Sequence, residues 1–202
     1  MRPWIATVLL AGVGAGVAAQ VRAPSASPAG HPVTAVVRSE SQFAFTLRTR
    51  WGQALIGRFP NAEGEVVALP DGRREVRLKL DAKTVEIVDH PRYTRLTRGP
   101  RFFDAARYPD VQFLSEPYTT DLLHAGGALY GQLRMHGVQR REHFVIEPAA
   151  CAHPGRDCDI VARGVVRRAH YDLDGWRMAM RDDVRFDLRV RLRDLPAKAE
   201  AP

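Results

Sequence analysis

The residue types that do chemistry are present but poorly assembled. Seven histidines are spread along the chain. Only His136 and His143 stand at a spacing that would bring two imidazoles together, on either side of a turn expected at Gly137 to Arg141. A zinc site takes three or four protein ligands, and no third is evident. Two rim or surface histidines are therefore expected, and no metal. The carboxylates fall mostly at outward strand positions or in turns, where solvation accounts for them. The chain has no Gly-x-Ser-x-Gly elbow, no His-Glu-x-x-His, no P-loop and no Gly-x-Gly-x-x-Gly. No catalytic residues are assigned, and a non-enzyme is expected. Cys151 and Cys158 bracket Ala-His-Pro-Gly-Arg-Asp, in which Pro154-Gly155 suits the centre of a tight turn. The thiols should face each other, and in an oxidising compartment they should form a disulfide. Two cysteines cannot build a four-Cys zinc site.

Apolar side chains give the stronger signal. Phe43, Phe45, Phe59, Phe103, Phe113, Phe144 and Phe186 all fall on candidate interior faces or in a helix-to-strand connection. Two readings compete: a filled aromatic core, or an apolar tunnel for a long lipid. Both require the same alternation, so periodicity does not separate them.

The elements that would position these rings have a period of two. From Val184 to Arg193 every even residue is apolar and every odd one charged, the mark of a half-buried strand. Phe43, Phe45 and Leu47 alternate in the same way, as do Val76, Leu78 and Leu80, and Leu129, Leu133 and Met135 share a face. Pro70-Asp71-Gly72 and Ala125-Gly126-Gly127 should close hairpins. A third turn, centred at Gln139/Arg140, would pair Met135 with Phe144 and Leu133 with Ile146. Asp89 to Gly99 breaks the pattern and reads as one short helix, with Asp89 as N-cap and Pro91 in its first turn. The expected fold is all-β: an antiparallel up-and-down barrel of about eight strands with one short helix, able to hold a small ligand.

Composition sets the outer limits. Of 202 residues, 45% are hydrophobic and 26% charged, which argues for a folded domain rather than disorder. The formal charge of +7 is carried by Arg, since only three of the 30 basic residues are Lys. Met1-Arg2-Pro3-Trp4 followed by the apolar run Ile5 to Val17 and Val17-Ala18-Ala19 reads as a secretory signal peptide over 1–19. Val13 stands where a lipoprotein box would need Cys. Residues 20–32 read as a flexible lead-in, 33–194 as one domain and 195–202 as a short tail. Export makes a nucleic-acid partner unexpected. A basic surface would suit transient contact with an anionic membrane, although an Arg-biased genome produces the same charge.

Several segments together resemble the YceI-like family. Phe102-Phe103-Asp104, Tyr108-Pro109 and Phe113-Leu-Ser115 resemble its central signature. Leu133-Arg-Met135-His136-Gly137-Val138 is similar to its Leu-x-Ile-His-Gly-Val hairpin. Ser41-Gln-Phe43-Ala-Phe45 with Gly57-Arg-Phe59 resembles its opening strands, and Asp183-Val184-Arg-Phe186-Asp-Leu188 its closing strand. The resemblance spans roughly 34–194. It departs at Glu40, where the family often has His, and at Arg168-Ala-His170-Tyr171-Asp172, where the family often has Arg-x-Asp-Phe-Gly.

The resemblance implies a lipocalin-like barrel in the bacterial periplasm that binds a long isoprenoid chain, of polyprenyl or quinone type, with no other cofactor. The chain would lie against Phe43, Phe45, Phe59, Phe103, Phe113 and Leu133, with Arg168 and Tyr171 at the rim to meet a polar head group. At about 0.3 kcal/mol per heavy atom, 35–40 chain atoms would supply on the order of 10–12 kcal/mol, roughly nanomolar affinity. Other classes remain open: a periplasmic scaffold or redox partner with a filled core, or an enzyme acting on a lipid.

Overall fold

The structure is a computed structural model that describes residues 31–196; the expected leader, the lead-in up to residue 30 and the tail from residue 197 lie outside the described residues. The strands are β1 (His31–Val36), β2 (Gln42–Thr49), β3 (Ala54–Arg58), β4 (Ala62–Ala68), β5 (Arg74–Asp81) and β6 (Glu86–Ile87), then β7 (Asp110–Ser115), β8 (Gly127–Met135), β9 (Val138–Ile146), β10 (Ile160–Arg167), β11 (Met180–Val190) and β12 (Leu192–Asp194). Helix α1 (Pro91–Arg98) precedes β7 and α2 (Asp121–Ala125) precedes β8; short 3-10 turns lie at Arg38–Glu40 and Arg168–Tyr171.

All twelve strands belong to one sheet, and each named pairing is antiparallel. About eight strands were expected, and the difference has a physical cause. Four long strands are each broken once, between β1 and β2, β3 and β4, β5 and β6, and β11 and β12. Rejoining them at these four breaks leaves eight. The ring closes because β11 pairs with β2 while β12 pairs with β1. Two breaks face each other and share hydrogen bonds. The amide of Val37 donates to the carbonyl of Arg191 (2.8 Å), and the amide of Arg191 donates to Ser41 Oγ (2.9 Å). The kinks therefore keep their backbone groups paired.

Strand alternation follows the expected faces. Phe43, Phe45 and Leu47 are buried, as are Val184, Phe186 and Leu188, and Leu129, Leu133 and Met135. The Pro70-Asp71-Gly72 hairpin forms between β4 and β5, with Gly72 at φ +83°.

Four local expectations are corrected. The β8–β9 turn is His136-Gly137, not Gln139/Arg140, so Met135 opposes Val138 and Leu129 opposes Phe144. His136 and Gly137 both have positive φ (52° and 81°), as a two-residue primed turn requires; this turn chemistry outweighs the apolar pairing used to choose the register. Ala125-Gly126-Gly127 is not a hairpin turn but the end of α2, a second helix that was not expected; Gly126, at φ +73°, donates to the carbonyl of Leu122. The N-cap of α1 is His90 rather than Asp89, which has φ +60°. The first strand also begins at His31, inside the expected lead-in, because it pairs with Ala68 on β4.

Candidate apolar ligand site

The barrel interior has two unlike halves, and the strand breaks fall between them. On the side of β2, β3 and β6, Phe45 packs against Phe59, Phe103 and Phe186, with ring centroids 5.3, 6.3 and 6.0 Å away. Phe59 and Phe102 meet Phe103 at 5.8 and 5.2 Å. Phe45 lies flat over Gly57 on β3; a Cβ there would sit 2.1 Å from its ring. The void enclosed beside Phe45, Phe102, Phe103 and Phe186 measures about 10 Å³. Such interlocked rings fill space at crystal-like density.

On the side of β1, β4, β5 and β12 the interior is hollow. A cavity of about 100 Å³ lies between Val66, Val76, Leu78, Phe113, Leu129, Leu133, Phe144, Ile146 and Leu188. All but two of its lining residues are aliphatic or Phe. The exceptions are Glu65, which forms an ion pair with Arg77 at 3.3 Å, and Tyr118. Burial raises the Tyr118 hydroxyl above its ordinary pKa, which the nearby charge of Arg74 partly opposes. Helix α2 lies at one end of this cavity, lining it with Leu122 and Leu123. The Cys151–Cys158 disulfide loop flanks the same end: its Gly155 carbonyl accepts from the amide of Leu192 (2.8 Å), and the amide of Ala149 donates to the Leu123 carbonyl (3.0 Å). Phe186 separates the cavity from the aromatic half, lining both voids.

The expected site residues divide between the halves. Phe113 and Leu133 line the cavity. Phe43, Phe45, Phe59 and Phe103 are in the hydrophobic core but do not line it. Arg168 and Tyr171 are not at the cavity rim. Of the two adjacent arginines, Arg168 is the one turned inward, at 2% exposure, while Arg167 is exposed near Asp183. The Arg168 guanidinium donates to the carbonyls of Leu173 (2.8 Å), Arg181 (3.2 Å) and Gly175, and stands 4.9 Å over the Phe102 ring. Burial works against its charge, which Asp182 and Asp174 favour. Its two terminal nitrogens are spent on backbone carbonyls, while Nε is buried without a partner, so in this geometry it clasps the filled end. Tyr171 is fully buried there and donates to Glu142 Oε1 (3.0 Å). Burial and the Glu142 carboxylate push its hydroxyl pKa well above the ordinary value.

His136 and His143 are not neighbours: His136 packs edge-on against Tyr108 at 4.7 Å, and His143 lies beside Tyr130 at 5.5 Å. A Cβ on Gly137 would lie 2.7 Å from the Tyr108 ring, so the Tyr-Pro and His-Gly motifs pack on each other. Leu122, Leu123 and Tyr118 were missed by sequence reasoning. The adjacent Leu pair after Asp121 was the available signal, hidden by reading Gly126-Gly127 as a turn.

A closed antiparallel barrel around a void lined almost wholly by apolar side chains is a lipocalin-like fold. The YceI-like domain family matches residues 35–192, and the chain belongs to this family. A sequence comparison with curated proteins returned no match. Among solved structures, BcnA of Burkholderia cenocepacia superposes with a TM-score of 0.65 at 17% identity, covering 78% of this chain and 99% of that one. A polyisoprenoid-binding domain from Saccharophagus degradans, implicated in plant cell wall breakdown, gives 0.62 at 16% identity, covering 82% and 100%. A YceI protein of Campylobacter jejuni gives 0.54 at 18%, covering 69% and 84%. These likenesses establish a shared fold.

Proposed function

We propose that the protein is an exported, non-catalytic carrier that holds a long isoprenoid chain, of polyprenyl or quinone type, in the aliphatic half of its barrel. The observation that carries this reading is the void itself. At roughly 24 cal/mol per Å³, leaving about 100 Å³ unfilled forgoes on the order of 2 kcal/mol. A core selected only for stability would fill it. Membership of the YceI-like family and the likeness to a polyisoprenoid-binding domain support the chemical class. The N-terminal apolar run and the disulfide support an oxidising, periplasmic location.

The size of the void sharpens the reading. Small-molecule sites usually measure about 300–1,000 Å³, so a long chain is accommodated only if lining side chains move. Leu122 and Leu123 on the five-residue α2 are only partly buried, and they are the natural ones to yield. Burial of apolar surface supplies the affinity. Calorimetric titration with quinones of one head group and increasing tail length tests the proposal. Affinity should climb with tail length, with a negative heat-capacity change. Equal affinity for tailless and long-tailed forms would overturn it.

A further inference from the structure

At the filled end of the barrel the protein exposes apolar side chains that its own fold does not use. Trp51 is 78% exposed, Met178 89%, and Tyr93, Leu96 and Trp176 between 42% and 43%. They come from three separate segments: the turn after β2, helix α1, and the loop before β11. Trp51, Tyr93, Leu96 and Trp176 converge on one open groove of about 250 Å³. Two of the segments, the turn and the loop, are tied together, with the Arg50 amide donating to the Ala179 carbonyl (2.8 Å) and Arg50 Nε to the Arg177 carbonyl (3.0 Å). Trp176 holds a left-handed backbone, φ +63°. For a bulky residue that conformation is unfavourable, yet here it presents an indole that is only partly covered.

The segments that form this groove are rich in arginine. Residues 48–55, 91–98 and 174–181 contain Arg48, Arg50, Arg92, Arg95, Arg98, Arg177 and Arg181 and one acid, Asp174, with Asp89, Asp172, Asp182 and Asp183 just beyond their ends. Of these, Arg177 lies 3.6 Å from Asp174, and Arg98 donates to the Val85 and Thr84 carbonyls. The others lie outside the ion pairs found among the described residues. Indole and phenol rings favour the boundary between water and lipid, and clustered Arg favours anionic head groups.

We infer that this face, centred on Trp51 and Trp176 and ringed by arginine, docks on an anionic lipid bilayer. The pairing of interfacial aromatics with arginine on one face fits this occupant, whose water–lipid boundary takes the rings and whose anionic head groups take the charge. The inference goes beyond the carrier reading and does not depend on the cavity being occupied.

The experiment is vesicle flotation, with tryptophan fluorescence, of protein recovered from the periplasm of an exporting bacterium. Vesicles of phosphatidylglycerol and phosphatidylethanolamine should bind it and shift its emission to the blue; phosphatidylcholine vesicles should bind far less. Arg92→Glu/Arg95→Glu alters only exposed positions and should weaken binding at least tenfold, given roughly fivefold for each Arg at an anionic surface. Trp51→Ala should weaken binding and reduce the spectral shift. Circular dichroism confirms that each variant is folded. Absence of binding to anionic vesicles, or binding unchanged in both variants, overturns the inference; the latter would mean that charge elsewhere on the molecule attracts lipid. Tail-length dependence in the quinone titration is a separate readout, so either conclusion can fail alone.

Discussion

The two halves of the barrel are built by the same alternating strands and end in opposite states. In the half of β2 and β3, Phe faces Phe across the interior, and small residues such as Gly57 let the rings lie flat. In the half of β1, β4 and β5, Val, Leu and Ile face Phe113 and Phe144 without reaching across, and a void remains. The comparison teaches that a period of two fixes which side chains point inward, while the volume left over depends on which strands oppose one another through the interior. Removing a residue should therefore be costly in the filled half, and adding one should be cheap in the hollow half.

The largest effect should come from Phe45→Ala. It deletes a ring that meets three others, and a substitution of this kind costs about 3–5 kcal/mol. Urea unfolding measures it, and a loss below about 1 kcal/mol would show the filled half to be looser than its geometry. Next is Arg168→Ala, which leaves the carbonyls of Leu173, Gly175 and Arg181 without their donor. About 3 kcal/mol is expected, given about 1–3 kcal/mol for each buried polar group left unpaired. Its affinity for charged and uncharged isoprenoids should fall together, if at all; selective loss for the charged form would return Arg168 to a head-group role.

The hollow half is probed in the other direction. Leu133→Trp adds volume beside the void, and overpacking that costs about 1–3 kcal/mol in a full core should here cost about 1 kcal/mol or less. Ligand uptake should nevertheless disappear. The smallest effect lies on the surface, in neither half. Glu116 accepts from Arg141 at 2.6 and 3.0 Å, which holds its carboxyl below the ordinary value of 4.5. The contribution is complete above that value and is lost as pH falls through the lower folded value. Both partners are exposed, so Glu116→Gln should alter acid unfolding only slightly.

Much of the fold was legible in the chain. The β11 alternation and the Phe43, Phe45 and Leu47 face held because inward and outward positions follow from local pleating. The His136-Gly137 turn was misplaced because apolar pairing was weighed above positive-φ turn chemistry. The four breaks were invisible: that joining β11 to β12 answers the one after Val37, through Ser41, a contact across 150 residues. Of the site, Phe113 and Leu133 were legible from alternation, whereas Phe43 and Phe45 share that alternation and, with Phe59 and Phe103 from the connections, lie in the filled core. Arg168 looked like a rim donor since sequence shows a charge but not the carbonyls waiting for it.

Native mass spectrometry of the protein recovered from an exporting bacterium, beside its Leu133→Trp variant, tests the division of the barrel most directly. A bound isoprenoid mass on the wild-type protein that is missing from the folded variant is the expected result. A bare wild-type protein, or an equal load on both, would contradict the claim that the aliphatic half is where the chain is held.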